Sequence, residues 1–307
     1  MTLAELGLGG RGAVVTVGAF DGVHRGHMAV LERNRTLAAA RGWASLLVTF
    51  DPHPTEVLRP ASSPPRLTPG REHLEALAEA GLDRLVRLRF DAQMAGRSAR
   101  EFVDDALRGA CGMQALVVGH DHGLGRGREG DVPALQAMGA ALGFDVEVVA
   151  EARVAGELVS SSRVRTAVTA GDLGGAAALL GRPYRLTGVV VHGAGRGRTI
   201  GVPTINIAGV PARKLLPPDG VYAVRVETPS GCFGGMLNQG GKPTFGDDRR
   251  SLEAHLFDFA GDLYGASVRI EWVTLLRSTR RFASGEELRR QLAADRTQAL
   301  AVLAATG

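Results

Sequence analysis

Cysteine and lysine are both scarce in this chain of 307 residues. Two cysteines, Cys111 and Cys232, are too few for a disulfide framework or a cysteine-rich zinc site. They lie far apart in sequence and read as reduced thiols of a cytoplasmic protein. Of 36 basic residues only Lys214 and Lys242 are lysines, a choice that genome composition can explain by itself. No uninterrupted apolar run reaches the ~18 residues that a transmembrane helix needs. The N-terminus, MTLAELGLGGRG, lacks a basic start followed by an apolar run, so neither a membrane span nor a signal peptide is expected. No Walker A sequence occurs, and Lys242 is followed by proline rather than Ser or Thr, which excludes a P-loop kinase. The histidines at 24, 27, 53, 120, 122, 192 and 255 include no HExxH pair and have no cysteine beside them, which argues against zinc. There is no internal repeat and no low-complexity tract.

What is present suits a folded protein of two domains. Hydrophobic residues make up 45% and charged residues 22%, near the average for globular chains. The charge is uneven. Residues 1–183 carry 20 Arg against 21 acids, net −1, while residues 184–307 carry 14 Arg and 2 Lys against 11 acids, net +5. A basic second half suits an anionic partner such as a nucleotide or nucleic acid, or is simply a solvated basic surface.

The first half alternates apolar runs with helical stretches. AVVTVGAF (13–20), ASLLVTF (44–50), RLVRLRF (84–90), ALVVGHD (115–121) and FDVEVVA (144–150) read as strands. Residues 27–42, 71–82 and 98–111 read as helices, the last with Ser98 and Glu101 in capping-box spacing. Residues 59–70 form a Pro/Ser-rich loop. Such alternation predicts an α/β domain with a doubly wound parallel sheet, whose ligands sit beyond the C-terminal strand ends. From about residue 183 short strands separated by Gly, Pro and Asp turns predict an antiparallel β-barrel, closed by a helix over 284–305 with Ser284 and Glu287 as its capping box. The boundary falls at GRPYR, giving domains 1–183 and 184–307.

The strongest motif is GAFDGVHRGH (18–27). A strand runs into a glycine-rich turn and then a helix, with His24 and His27 spaced to share one face of its first turn. A helix N-terminus offers free N–H groups and a positive dipole, and Gly18, Gly22 and Gly26 let a nucleotide approach the backbone. This suits a triphosphate attacked at its α-phosphorus, with two imidazoles stabilising charge on the phosphoryl oxygens. TFDPHP (49–54) predicts a rigid extended loop, with Pro52 and Pro54 forming an apolar wall and His53 at its edge. GHDHGLGRGREGD (119–131) suits a loop around phosphate or ribose. VSSSRVR (159–165) supplies hydroxyls and a guanidinium for pyrophosphate. In the second half, HGAGRGRTIGVPTINI (192–207) leads glycines, Arg196 and Arg198 into an extended segment where Thr204 and Asn206 point to one side, fit to hold Mg²⁺ and a γ-phosphate. Glu253, His255, Phe257 and Phe259 share one face of a predicted strand, where a carboxylate beside two Phe is unusual unless it works or is paired.

These motifs together resemble the bacterial bifunctional riboflavin kinase/FAD synthetase family, along essentially the whole chain. The resemblance implies an N-terminal FMN adenylyltransferase of the nucleotidylyltransferase superfamily and a C-terminal riboflavin kinase barrel. It implies catalytic roles for His24, His27 and Glu253, the last as the base that accepts the ribityl hydroxyl proton. Nucleotide contacts are implied at Gly18, Phe20, Asp21, Gly26, Asp121, Arg128, Ser161, Ser162, Arg165, Gly193, Gly197 and Arg198. Flavin contacts are implied at Pro52, His53, Pro54, Asn238 and Arg277, and metal contacts at Thr204 and Asn206. The expected small molecules are Mg²⁺, ATP, riboflavin, FMN and FAD. A cytoplasmic monomer or weak homo-oligomer is expected, with no nucleic-acid or membrane partner. NQGGKPTFG (238–246) resembles a further loop of the family near the ligands. The chain departs from the family pattern at His122 and Leu124, where aromatics are usual, and at Thr279 in LRSTRRF, where Glu is usual. Two rival readings are an adenylyltransferase for another phosphorylated metabolite and an inactive fold binding RNA. The PTIN segment with Glu253 opposes the first. Intact His24 and His27, and few aromatics in the barrel loops for base stacking, oppose the second.

Overall fold

The computed structural model describes residues 12–193, 195, 197, 201–242 and 247–306, with only the backbone of 241, 242 and 247–250. Contacts divide the chain into two compact units, 1–66 with 73–161, and 67–72 with 162–307.

The first unit holds β1 (Ala13–Val17), α1 (Arg25–Arg41), β2 (Ala44–Asp51), α2 (Pro54–Leu58), α3 (Arg71–Ala78, from His73 on), β3 (Arg84–Arg89), α4 (Ala92–Gly96) and α5 (Ala99–Glu101, continuing as a π-helical stretch Phe102–Ala110). It continues through β4 (Met113–Gly119), the two-residue strands β5 (Gly123–Leu124) and β6 (Gly130–Asp131), α6 (Val132–Leu142), β7 (Asp145–Val149), and the short hairpin of β8 (Arg153–Val154) and β9 (Glu157–Leu158). The five long strands form one parallel sheet in the order β3-β2-β1-β4-β7. Period-two alternation sends Ala13, Val15 and Val17 to one buried cluster, with Phe102 and Leu135, and Val14 to another, with Leu31 and Leu37 of α1. The order reverses between β1 and β4, so the C-terminal ends of these two strands flank the crevice where such sheets take ligands.

The parallel α/β reading agrees with this sheet, but several local expectations change. β1 stops at Val17, so residues 18–24 are all turn. Pro54 does not extend a rigid loop: it opens α2, with His53 as the N-cap, because proline lacks the N–H that a first helical turn leaves unused. Leu124 is buried in the core beside Phe102 and Leu135, so part of the 119–131 loop is anchored as a hairpin. The sequence reading passed over α6, whose run of Ala and Gly carries little amphipathic pattern. Its punctuation is clear: Asp131 caps Ala134 N at 2.9 Å, and Gly143 closes it in the left-handed region.

The second unit contains residues 67–72, α7 (Ser161–Ala170, from Ser162 on) and α8 (Leu173–Leu180). Its strands are β10 (Tyr184–Val191), β11 (Ile205–Ala208), β12 (Gly220–Thr228), β13 (Gly231–Lys242), β14 (Asp247–Leu256) and β15 (Ser267–Arg277), followed by α9 (Gly285–Ala305). The strands close an antiparallel barrel in the order β10-β11-β14-β13-β12-β15. Leu186, Tyr222, Val224, Leu237, Ala254, Ile270 and Trp272 are fully or almost fully buried on one face of the strands. The alternate face of β12 and β13, through Val221, Ala223 and Met236, packs with Ala299, Val302 and Leu303 of α9. Ser284 caps α9 through Glu287 N, while Glu287 reaches Ala283 N rather than the cap residue, so the expected box is displaced by one residue. The strand β14 ends at Leu256 and Asp258 turns to φ 55°, which takes Phe259 out of the alternation expected for it.

One buried ion pair stands out within this unit. Lys214 Nζ donates to Glu72 Oε2 (2.5 Å), Arg185 O (2.6 Å) and Leu67 O (2.8 Å). Glu72 Oε1 accepts from Thr187 N at 3.2 Å.

Two candidate active sites

In the first unit the candidate site grows from the turn between β1 and α1. His24 is extended and serves as N-cap of α1, its Nδ1 accepting from His27 N at 3.3 Å. Accepting there requires Nδ1 to be unprotonated, so the neutral ring carries its proton on Nε2. The two imidazoles lie face to face, centroids 3.6 Å apart and planes 16° apart. His24 therefore stands just ahead of the helix rather than in it, yet shares a face with His27. Gly26 permits this: a Cβ there would lie 3.2 Å from His24 Cε1. At Gly18 a Cβ would lie 2.8 Å from the Phe20 ring, which in turn meets His27 edge-on at 4.9 Å.

Asp21 is buried, with Arg66 Nε 3.3 Å from its Oδ2, and its carbonyl accepts from Ser161 Oγ at 2.8 Å. Arg66 also meets Glu56 at 3.2 Å. Asp21 thus anchors the turn from behind. Arg66 and the buried His73 carry no motif, and the sequence reading did not single them out. Burial, with Arg66 close by, lowers the His73 pKa to about 4. At the end of β2, His53 Nδ1 accepts from Thr55 N at 3.1 Å and lies 2.7 Å from Thr55 Oγ1. Pro52 and Pro54 flank it. Beyond β4, Asp121 and Arg128 are exposed, and Arg128 Nη2 donates to Asp121 O at 2.5 Å. His122 beside them is pushed down to about pKa 4, chiefly by burial. Ser162 and Arg165 lie on α7 in the second unit by contacts.

In the barrel a single register row gathers the candidate polar residues. Asn206 of β11 pairs with Glu253 of β14, and Glu253 pairs with Asn238 of β13. Directly opposed residues of antiparallel strands point to one side with Cβ atoms ~4.5–5.5 Å apart. The row continues through Val221 of β12 to Arg277 of β15. All three polar residues are half-buried, on the face that also packs α9. Gly193 closes on the row, since a Cβ there would lie 2.1 Å from Asn206 Nδ2. Gly197 comes close to Thr204, its Cβ position 3.4 Å from Oγ1. His255 Nδ1 lies 2.7 Å from Pro203 O and so secures the segment that carries Thr204.

The oxygen donors of Thr204 and Asn206, with a carboxylate alongside, are the hard ligands that Mg²⁺ prefers, so these residues fit that ion. Arg277 forms a bidentate pair with Asp295 of α9 at 2.8–3.0 Å, and its guanidinium lies 5.5 Å from the Phe282 ring. Asp295, almost fully buried, is a further partner that no motif announces. Arg196 and Arg198 lie outside the described residues, as do residues 243–246 of the NQGGKPTFG stretch. Among the described residues no group of three or more His, Cys, Asp or Glu side chains gathers as a metal site.

Comparison with known proteins covers most of the chain. The FAD synthetase family model matches residues 9–163, and the riboflavin kinase model matches residues 180–303. The bifunctional riboflavin kinase/FMN adenylyltransferase of Pseudomonas fluorescens is 42% identical over 96% of this chain and 94% of its own length. The enzyme of the same name from Escherichia coli K12 is 41% identical, over 92% and 90%. A solved structure described as a macrolide-efflux protein from Streptococcus pneumoniae superposes with TM-score 0.83 at 31% identity, covering 93% of each chain. Among the described residues no helix of this chain is long and apolar enough to cross a membrane.

Proposed function

The chain belongs to the family of bifunctional riboflavin kinases/FMN adenylyltransferases, and from that premise we propose which of its residues carry each step. The enzyme phosphorylates riboflavin with ATP to FMN, then joins FMN to the AMP moiety of ATP, giving FAD and pyrophosphate. Residues 184–307 are assigned to the first reaction and residues 1–183 to the second.

For the kinase, the supporting observation is the Asn206–Glu253–Asn238 row. Glu253 accepts the proton of the ribityl 5′-hydroxyl as its oxygen attacks the γ-phosphorus, and ADP leaves. Asn238 and Arg277 face the flavin. Thr204 and Asn206 would hold Mg²⁺, which when bound supplies positive charge against the ATP phosphates. Gly193, Gly197 and Arg198 line the phosphates.

For the adenylyltransferase, the supporting observation is the stacked His24–His27 pair at a helix N-terminus. The FMN phosphate is already anionic and needs no base. Its oxygen attacks the α-phosphorus of ATP, the bond to the β-phosphate oxygen breaks, and pyrophosphate leaves. His24 and His27 donate to the phosphoryl oxygens as charge grows there. Gly18, Phe20, Gly26 and Asp21 shape the turn, while Asp121, Arg128, Ser161, Ser162 and Arg165 serve the nucleotide. Pro52, His53 and Pro54 border the flavin. A cytoplasmic monomer or weak homo-oligomer without a nucleic-acid partner fits the two unpaired cysteines and the small-molecule chemistry.

Separate assays of the two reactions test the assignment. Glu253→Ala should lower riboflavin phosphorylation by about 10²–10⁴-fold and leave FMN adenylylation intact. Loss of both activities in a folded variant would count against independent sites.

A further inference from the structure

The turn that presents His24 and His27 is under backbone strain. Phe20 (φ 48°), Gly22 (φ 86°) and Val23 (φ 43°) all occupy the left-handed region. For Val23, β-branched and fully buried, that conformation is a true outlier. Strain of this kind persists only where the surroundings over-determine it. Asp21, inside the strained stretch, is held at two points. Its carbonyl accepts from Ser161 Oγ at 2.8 Å, and its buried carboxylate meets the Arg66 guanidinium, Oδ2 to Nε 3.3 Å.

Arg66 is itself buried and serves a second carboxylate: its Nη1 donates to Glu56 Oε1 at 3.2 Å. Glu56 stands in the first turn of α2, the helix that His53 caps and Pro54 opens, and its N–H donates to His53 O at 2.8 Å. One guanidinium therefore spans from the turn to the helix behind the Pro52–Pro54 segment. Its planar fork has fixed donor directions, so it sets that spacing more narrowly than a flexible ammonium would. On the turn side the constraint passes forward. The Phe20 ring, next to Asp21, sits edge-on to His27 at 4.9 Å, and His27 stacks on His24 at 3.6 Å.

Adenylyl transfer needs a phosphate oxygen of FMN in line with the α-phosphorus of ATP. A misplacement of about 1 Å between the two reactants can cost on the order of a hundredfold in rate, even where each keeps its own contacts. We propose that Arg66 is a positioning residue for adenylyl transfer, one guanidinium that holds the histidine turn and the flavin-side helix at a fixed spacing through Asp21 and Glu56. The inference rests on the assignment of residues 18–27 to the nucleotide and 52–54 to FMN made above. It concerns geometry in the transition state, so loss of the bridge should lower kcat with little change in KM for ATP or FMN.

Four variants separate the bridge from its two contacts taken singly, with FMN-to-FAD turnover counted per folded chain from urea midpoints. Arg66→Met removes both contacts and should lower kcat by about 10–100-fold, the range for a charge-assisted hydrogen bond. Glu56→Ala leaves the Arg66–Asp21 pair in place and removes only the far end; kcat should fall about tenfold. Glu56→Gln keeps an acceptor oxygen for Arg66 and should stay within about threefold of wild type, with KM changed less than about twofold throughout. Adding Glu56→Ala to Arg66→Met should cost little more, because the bridge is already gone. Wild-type kcat in Arg66→Met or Glu56→Ala, or equal loss in Glu56→Ala and Glu56→Gln, would overturn the proposal. So would a raised KM at constant kcat, or losses that simply multiply in the double variant. If Arg66→Met does not fold, the comparison of Glu56→Ala with Glu56→Gln decides alone. His27→Ala, assayed alongside, keeps the two ideas apart: wild-type turnover there refutes the catalytic assignment itself, whereas its loss with Glu56→Ala intact refutes only the bridge.

Discussion

His24 uses one ring nitrogen to cap a helix and leaves the other protonated, so a local folding rule also selects the tautomer available for chemistry. That pair was legible in the sequence because i, i+3 spacing after a strand and a glycine turn admits few geometries. His73, Arg66 and Asp295 were not legible. Each acts through partners distant in sequence, and no spacing rule connects Asp21 with Arg66 or Arg277 with Asp295. His73 also makes stability depend on pH. Its pKa in the folded chain is about 4, against an ordinary value of 6.5, with Arg66, Asp21 and Asp51 as its charged neighbours. Between those pH values the unfolded chain binds the extra proton, so stability rises with pH. The contribution is complete above about pH 6.5 and is lost as pH falls toward 4, amounting to on the order of 3 kcal/mol. Thermal melts from pH 7.5 to 4.5 should therefore show a steeper loss in wild type than in His73→Asn. Parallel curves would mean that the ring carries no such linkage.

At the scale of elements, the hydrophobic alternation identified every long strand, but the ends were decided by caps and turns. Pro54 starting a helix and Asp131 capping α6 are both cases where punctuation outweighed periodicity. Lys214 was not legible at all, since the scarcity of lysine carried no structural reading. In a chain that otherwise takes arginine almost everywhere, this lysine is buried and donates to three acceptors from three segments, α3 with Glu72, β10 with Arg185, and Leu67. A compact ammonium with three rotatable donors meets that arrangement, and a planar guanidinium does not. Lys214→Met would take the ammonium away from the buried Glu72 carboxylate and should cost up to about 3–5 kcal/mol, read as a lowered urea midpoint at unchanged slope. Lys214→Arg should also be less stable than wild type. A neutral Lys214→Met would show that the pair is offset by its own desolvation.

Over the whole molecule, two chemistries are written in two textures, βα alternation followed by short strands, and that change of texture is visible in the sequence itself. The pairing of Asn206, Glu253 and Asn238 was not, because it depends on the order in which strands close the barrel. If the sites work independently, two defective enzymes can complement one another. His27→Ala should make FMN and stop there, and Glu253→Ala should accept only supplied FMN. An equimolar mixture given riboflavin and Mg-ATP should regain FAD, at a rate set by FMN released to solution. Absence of FAD from the mixture, with each variant competent in its own half-reaction, would refute the exchange.

The closed barrel has a consequence in time. Its polar row draws on residues from Asn206 to Arg277, and the ring of strands is incomplete until β15 pairs with both β10 and β12. The segment matching the FAD synthetase family, by contrast, ends at residue 163. Read from the ribosome, the catalyst for the later reaction emerges first, and the one that supplies its substrate emerges last. On the assignment proposed above, a nascent chain halted before Ser267 would already hold the segment that matches the FAD synthetase family and would still lack a closed kinase barrel.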